Sequence, residues 1–423
     1  MRRLGRRQAL VAGAVAALGA TGLGGCARRR QDGEITLWFS YGGKNRKVLL
    51  DLVDQFHQAQ GAVRVHATFQ GDYFEGLVKL RTGLFVGASP TLTHVVGEVV
   101  PYLSQAGVLE PLEGIGPEVM DDLNPALAQR GTFVGGGDRP LVALPFNRST
   151  PVAYYNVPLF RELKLTPPTT WSELREVARA TTVVSGGAKQ RWGFECPIDW
   201  WFWVALVGQA GGQVIEPDGA VSLGGEAGVR AIELWQQMIH QDGTMKPPPG
   251  RDYNAWEATN NDFLAGRVAM IWTSTAFLRY LEENAQFEVG TAPLPKQLRH
   301  AVPTGGTFFV MPRGVSSADR EAALTFLRWM MAPAQANAWA TRTGYMTVSG
   351  QGLAQLEKEG YFAAHPNDRV TLDQLAAAQP WPWAPELFRV QREAVQPRLE
   401  AAVLLRQDAR TTLDAARRSV VSP

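Results

Sequence analysis

Cysteine is nearly missing: the 423 residues hold Cys26 and Cys196 and no other, so no disulfide framework can brace this chain. Histidine is scarce as well. The six histidines are scattered without metal-ligand spacing, so no metal site is expected. The phosphate loop G-x-x-x-x-G-K-[ST], the zinc pair H-E-x-x-H, the redox pair C-x-x-C and the G-x-S-x-G elbow are all absent. No cofactor is expected, and no enzyme. An excess of one charge is lacking too. Lys and Arg number 42 against 40 Asp and Glu, and no basic stripe stands out beyond the N-terminus, which argues against a nucleic-acid partner. After residue 26 no apolar run is long enough to cross a bilayer.

What is present is bulk and tryptophan. A chain of 423 residues, 45% of them hydrophobic, exceeds what one core usually serves, so two lobes are expected. Its 13 tryptophans suit a core, and some suit a pocket that stacks flat or polyhydroxy ligands. Residues 1–26 are not fold. Arg2, Arg3, Arg6 and Arg7 form a basic head, Ala9 to Leu23 a short apolar run of small residues, and Leu23-Gly24-Gly25-Cys26 ends it. That ending resembles a lipobox, so Cys26 is expected to carry the lipid after cleavage. Arg6-Arg7 resembles a twin-arginine export signal, which leaves the export route open. A plain membrane anchor is the rival reading, disfavoured by the Gly and Ala content. Cys196 reads as a small buried hydrophobe.

Beyond a tether over 27–33, Glu34–Phe39 alternates as a strand. Residues 45–59 then place Val48, Leu49, Leu52, Val53 and Phe56 at helical spacing, and Val63–Phe69 alternates again. Strand, helix, strand is a βαβ unit. A helix over Tyr73–Phe85, a strand over Leu92–Val96 and a helix from Val99 continue an α/β lobe with a parallel sheet, whose binding groups favour the carboxyl ends of the strands. Farther on, helices are predicted at Trp171–Thr181 (opened by Thr170), Trp200–Val207, Glu226–His240, Asn254–Leu264 and Ser317–Met331. Strands are predicted after Gly266 and at Thr307–Met311. Gly135-Gly136-Gly137-Asp138 precedes a strand and reads as a hairpin turn.

Breaks marked by proline or glycine fall near 145–151, 293–303 and 341–347. If each is a passage between lobes, the lobes are discontinuous and hinged, with the passages lining the cleft. The first break, Leu144 to Asn156, reads LPFNRSTPVAYYN. Its polar knot Asn147-Arg148-Ser149-Thr150 is compatible with a loop, a glycan acceptor or a ligand site, and the interlobe passage is the preferred reading.

The lipobox, the two-lobed α/β pattern, Phe263-Leu264-Ala265-Gly266-Arg267-Val268-Ala269-Met270 and Thr343-Gly344-Tyr345 together resemble the extracellular solute-binding proteins of ABC importers. More narrowly, Gly71-Asp72-Tyr73, Pro145 to Asn156, Thr304-Gly305-Gly306 and Thr343-Gly344-Tyr345 resemble the glycerol-3-phosphate-binding proteins of the Ugp importer. The resemblance implies a two-lobed periplasmic-binding-protein fold of type II with a three-segment hinge. The N-terminal lobe is expected at 34–148 and 303–341, the C-terminal lobe at 149–302 and 342–423. It implies Tyr73, Ser149, Ser274, Gly306 and Tyr345 in the cleft, Arg392 facing a phosphate, and Glu98 holding glycerol hydroxyls, with Gly97 competing for that register. Trp201 would pack on the glycerol carbons. Pro197-Ile198-Asp199-Trp200-Trp201-Phe202-Trp203 departs from the family's tryptophan pair, and Ile198 in place of a larger side chain would leave room for a glycerophosphodiester. Arg389, three residues before Arg392, competes for the phosphate role.

The chain is thus expected to be an exported, lipid-anchored, monomeric binding protein. It would capture glycerol-3-phosphate or a glycerophosphodiester and deliver it to an ABC permease. A neutral oligosaccharide is the alternative ligand. A secreted hydrolase with Ser149 as nucleophile is the remote one, since no motif ties a histidine to it.

Overall fold

A computed structural model describes residues 33–128, 139–248 and 252–421. The export segment with Cys26, most of the tether and the Gly135–Asp138 turn lie outside the described residues. Among the described residues no helix is long and apolar enough to cross a membrane.

Two sheets organise the chain. The first contains β1 (Glu34–Phe39), β2 (Arg64–Phe69), β3 (Leu92–Val96), β4 (Leu144–Ser149) and β9 (Gly305–Val310), in the order β2-β1-β3-β9-β4. β1 runs parallel to β2 and β3, whereas β9 is antiparallel to both β3 and β4. Alternation along β1 buries Ile35, Leu37 and Phe39. Helix α1 (Gly43–Ala59) covers one face with Val48, Leu49, Leu52, Val53 and Phe56, the stripe its 3.6-residue spacing predicts. Phe56 meets Phe326 and Trp329 of a later helix at 5.1 and 5.4 Å between ring centroids. Helix α2 (Tyr73–Val86) starts at a capping box. Asp72 accepts from the Phe74 and Glu75 amides, and Glu75 accepts from the Asp72 amide.

The second sheet is built from β5 (Pro151–Asn156), β6 (Ala188–Glu195), β7 (Val268–Ser274) and β8 (Val289–Ala292), in the order β8-β5-β7-β6, with short strands beyond β6. β5 is antiparallel to β7 and β8, and β6 is parallel to β7. Helices α3 (Trp200–Gln209), α4 (Asp252–Leu264) and α5 (Leu278–Asn284) belong to this second lobe. Cys196 is fully buried in this core, as expected of a small hydrophobe.

The stretch from Leu144 to Asn156 is not a loop. β4 pairs in the first sheet and β5 in the second, with only Thr150 between them. Asn147, Arg148 and Thr150 have no exposed surface, so the glycan-acceptor reading is excluded for the folded chain. Arg148 donates to the Leu127 carbonyl and to Thr304 Oγ1 (3.2 and 2.9 Å), and its guanidinium lies over the Phe308 ring. Asn147 Oδ1 accepts from the Thr307 amide at 2.7 Å. The polar knot therefore sews β4 to β9 where the chain changes sheets. After Gly344 the chain returns alongside this passage, the Met346 amide donating to the Arg148 carbonyl at 2.9 Å.

Candidate functional site

A cavity of about 520 Å³ opens between the two sheets, beyond the carboxyl ends of β1 and β3. The first lobe contributes the turn from Ser40 to Asn45, the start of α2 at Asp72–Phe74, Glu98 after β3, Ser149 ending β4, and Gly305-Gly306 opening β9. The second lobe contributes Asp199 and Trp201 at the start of α3, one face of α4, and the β7–α5 turn from Ser274. Tyr345 and Gln391 complete the lining. The lobes touch across the mouth. Lys44 pairs with Glu283 of α5, and Asn45 Nδ2 donates to the Ala276 carbonyl at 3.4 Å.

Tyr73, Glu98, Ser149, Trp201, Ser274, Gly306 and Tyr345, all singled out in the sequence, line this one cavity. The Tyr73 and Tyr345 hydroxyls lie 3.3 Å apart, and Asn147 Nδ2 donates to Tyr73 Oη at 3.3 Å. Tyr345 stacks on Trp339, and its burial pushes the phenol pKa well up, so it stays a neutral donor. Ser274 Oγ accepts from the Ala276 amide at 3.1 Å. Gly306 adopts φ +89°, and a Cβ there would lie 1.5 Å from the Asn147 carbonyl oxygen, so only glycine fits. Glu98 rather than Gly97 faces the cavity. Burial raises its carboxyl pKa to about 7, with Asp199 adding to the rise and Arg148 opposing it.

Two expectations are corrected. Arg392 does not line the cavity; its guanidinium stacks at 3.8 Å on the ring of Phe74, which does. Val390–Val395 winds as a wider π turn, and Gln391 takes the lining position instead. Arg389 turns away to pair with Glu393. Ile198 is a core residue outside the cavity, its carbonyl accepting from Gln396.

Several lining residues went unread in the sequence. Trp256 of α4 extends the aromatic wall, with its ring centroid 5.7 Å from that of Trp201 and 6.3 Å from that of Phe277. Asn260 follows one helical turn later on the same face. The signal available was that i,i+4 pair on a helix already predicted.

The polar lining divides by charge. Asp72, Glu98, Asp199 and Glu257 bring carboxyls, Lys44 a cation. Asp72 and Asp199 are engaged as helix caps. The N-terminus of the 17-residue α1 is different: Gly42 supplies no side-chain cap, and Gly42 to Asn45 line the cavity. The first-turn amides and the helix dipole favour an anion at this corner, where the Lys44 charge is already paired with Glu283. Among the described residues no histidine lines the cavity, and no cluster of His, Cys, Asp and Glu could hold a metal.

The family described as bacterial extracellular solute-binding protein matches residues 51–359. Among curated relatives, the sn-glycerol-3-phosphate-binding periplasmic protein UgpB of Pectobacterium atrosepticum is 22% identical over 377 residues, covering 83% of this chain and 81% of its own. UgpB of Salmonella typhimurium is 24% identical over 366 residues, 82% of each chain. Among solved structures, UgpB from Mycobacterium tuberculosis in complex with glycerophosphocholine superposes with a TM-score of 0.79 at 23% identity, covering 92% of this chain and 98% of that one. The cyclic alpha-maltosyl-1,6-maltose binding protein from Arthrobacter globiformis does so with a TM-score of 0.72 at 25% identity, over 92% and 97%. The fold is the two-lobed type II periplasmic-binding-protein fold.

Proposed function

The chain belongs to the bacterial extracellular solute-binding proteins, the binding components of ABC importers, and from that premise we propose that it captures a glycerophosphodiester and delivers it to a membrane permease. The carrying observation is the make-up of the cavity lining. The lining joins hydroxyls, backbone amides and Lys44 to an aromatic wall, and the Trp201 ring and Ser149 Oγ both crowd Gly305, where the two meet. Glycerol-3-phosphate would engage the hydroxyls, Glu98 and Trp201 and leave Trp256, Phe277 and Asn260 without a contact. A phosphomonoester also carries nearly two charges at neutral pH, against four carboxyl side chains in the lining. A diester carries one charge and has a second half for the wall.

In this reading Ser149, Ser274, the Gly306 amide and the Tyr345 and Tyr73 hydroxyls donate to phosphate oxygens, with the α1 N-terminus and Lys44 beside them. Glu98 accepts from glycerol hydroxyls. Trp201 packs on the carbons. Arg392, one side chain behind the lining, acts as a distant counter-charge rather than a direct ligand. The ligand bridges both lobes and favours the closed arrangement, which the permease recognises. Cys26 tethers a monomer to the outer face of the membrane. The named ligands of the Mycobacterium tuberculosis and enterobacterial relatives support the phosphoester class.

Calorimetric titration with glycerophosphoglycerol, glycerol-3-phosphate and maltose tests this. The diester is expected to bind with micromolar affinity, roughly −8 kcal/mol, the monoester more weakly, and maltose not at all. Binding of maltose alone overturns the proposal in favour of a neutral oligosaccharide.

A further inference from the structure

Four side chains of the cavity lining, those of Tyr41, Trp201, Asn260 and Gln391, carry buried polar atoms with no hydrogen-bond partner in the protein. Both amide atoms of Asn260 are unpartnered, although only 1% of the residue is exposed. Trp201 Nε1 and Gln391 Oε1 are also buried and unpartnered. These last three residues come from α4, α3 and the Val390–Val395 turn. Buried polar groups are nearly always paired, because an unmade hydrogen bond leaves the full desolvation cost. Such groups facing one cavity are the imprint of a partner.

The helix fixes where Asn260 points. Thr259 turns the other way, donating to buried Glu195 at 3.1 Å, and Phe263 is fully buried in the lobe's core. Trp256 and Asn260, four residues apart, share the cavity face. Trp256 joins Trp201 and Phe277 in one wall, and Asn260 stands on the next turn beside it.

We propose that Asn260 determines the ligand's head group, taking two adjacent hydroxyls of a polyol: Oδ1 accepts from one and Nδ2 donates to the next. Trp201 Nε1 donates to a hydroxyl oxygen and Gln391 Oε1 accepts from a hydroxyl, so donors and acceptors alternate as a polyol requires. A quaternary ammonium has no proton to donate and no lone pair to accept. It would suit the aromatic faces but leave Asn260 unsatisfied. The preferred substrate class is a glycerophosphodiester with a hydroxylated head group. This rests on the phosphodiester reading above.

The test is calorimetric titration of the wild type, Asn260→Leu and Asn260→Ala with glycerophosphoglycerol, glycerophosphocholine, glycerol-3-phosphate and maltose. The wild type is expected to bind glycerophosphoglycerol at least tenfold more tightly than glycerophosphocholine. Asn260→Leu is expected to lose at least tenfold toward glycerophosphoglycerol and less toward glycerol-3-phosphate, with an unchanged circular dichroism spectrum and thermal midpoint showing that the variant is folded. Equal or tighter binding of glycerophosphocholine by the wild type overturns the inference. So does a uniform loss across all ligands in both variants, the mark of a merely structural residue. If the wild type binds maltose alone, the diester reading fails. The role of Asn260 in reading hydroxyls then survives only if Asn260→Leu weakens maltose.

Discussion

His94 lies within β3 and Glu98 four residues on, just past its end, and burial drives their pKa values in opposite directions. Glu98 rises to about 7 and His94 falls to about 3, because each loses water around its charged form. For Glu98 the folded pKa exceeds the unfolded one. Its contribution to stability is present below about pH 4.5 and is lost as pH rises through 7. For His94 the folded pKa is the lower one, so stability is present above about pH 6.5 and is lost as pH falls toward 3. Glu98→Gln should therefore gain stability relative to wild type between pH 4.5 and 8, by up to roughly 3 kcal/mol; urea midpoints across that range check it, and parallel profiles contradict it. His94 sits among Tyr41, Phe146 and Phe309, with both ring nitrogens unpartnered. His94→Phe should shift acid unfolding to lower pH, and an unchanged acid midpoint would refute the assignment. Glu98 was legible in the sequence through its family resemblance. Asn260 was not, because lacking a partner is a property of the assembled lobe, invisible along the chain.

Elements were easier to read than their contacts. Trp171–Thr181 behind its Thr170 cap and Ser317–Met331 lie where periodicity and capping placed them. The chain from Leu144 to Asn156 shows where such reading stops. Its polar residues resemble a loop, yet they form buried strands, because Arg148 and Asn147 find partners on β9 and around it that lie about 160 residues away. Likewise the π turn at Val390–Val395, which no periodicity announced, moved Arg392 off the lining. Gly306 and Gly219 have nearly equal φ, +89° and +88°, but a Cβ at Gly219 meets nothing while one at Gly306 strikes the Asn147 carbonyl. Gly219→Ala should cost about 1–2 kcal/mol of backbone strain, and Gly306→Ala distinctly more, above about 4 kcal/mol. Equal losses in chemical denaturation would remove the close approach of β4 and β9 from the account.

The whole molecule is two lobes whose meeting faces the sequence did not reveal, although the chain length and the three breaks implied the division. Length and proline placement constrain how often the chain crosses. They do not say that Lys44 will face Glu283 or that α4 will close one wall. The Lys44–Glu283 pair spans the mouth with both side chains partly exposed, 29% and 54%. Exposed pairs are worth little, about 0–1 kcal/mol. Lys44→Met paired with Glu283→Gln should then change ligand affinity by no more than about fivefold, and the effect should fade at high salt. A hundredfold loss in calorimetry would make the pair a main determinant of closure. The central claim, capture of a glycerophosphodiester by lobe closure, is tested most directly by small-angle X-ray scattering with and without saturating glycerophosphoglycerol or maltose. The radius of gyration is expected to contract with the phosphodiester and to stay unchanged with maltose. Contraction with maltose and none with the phosphodiester would contradict it.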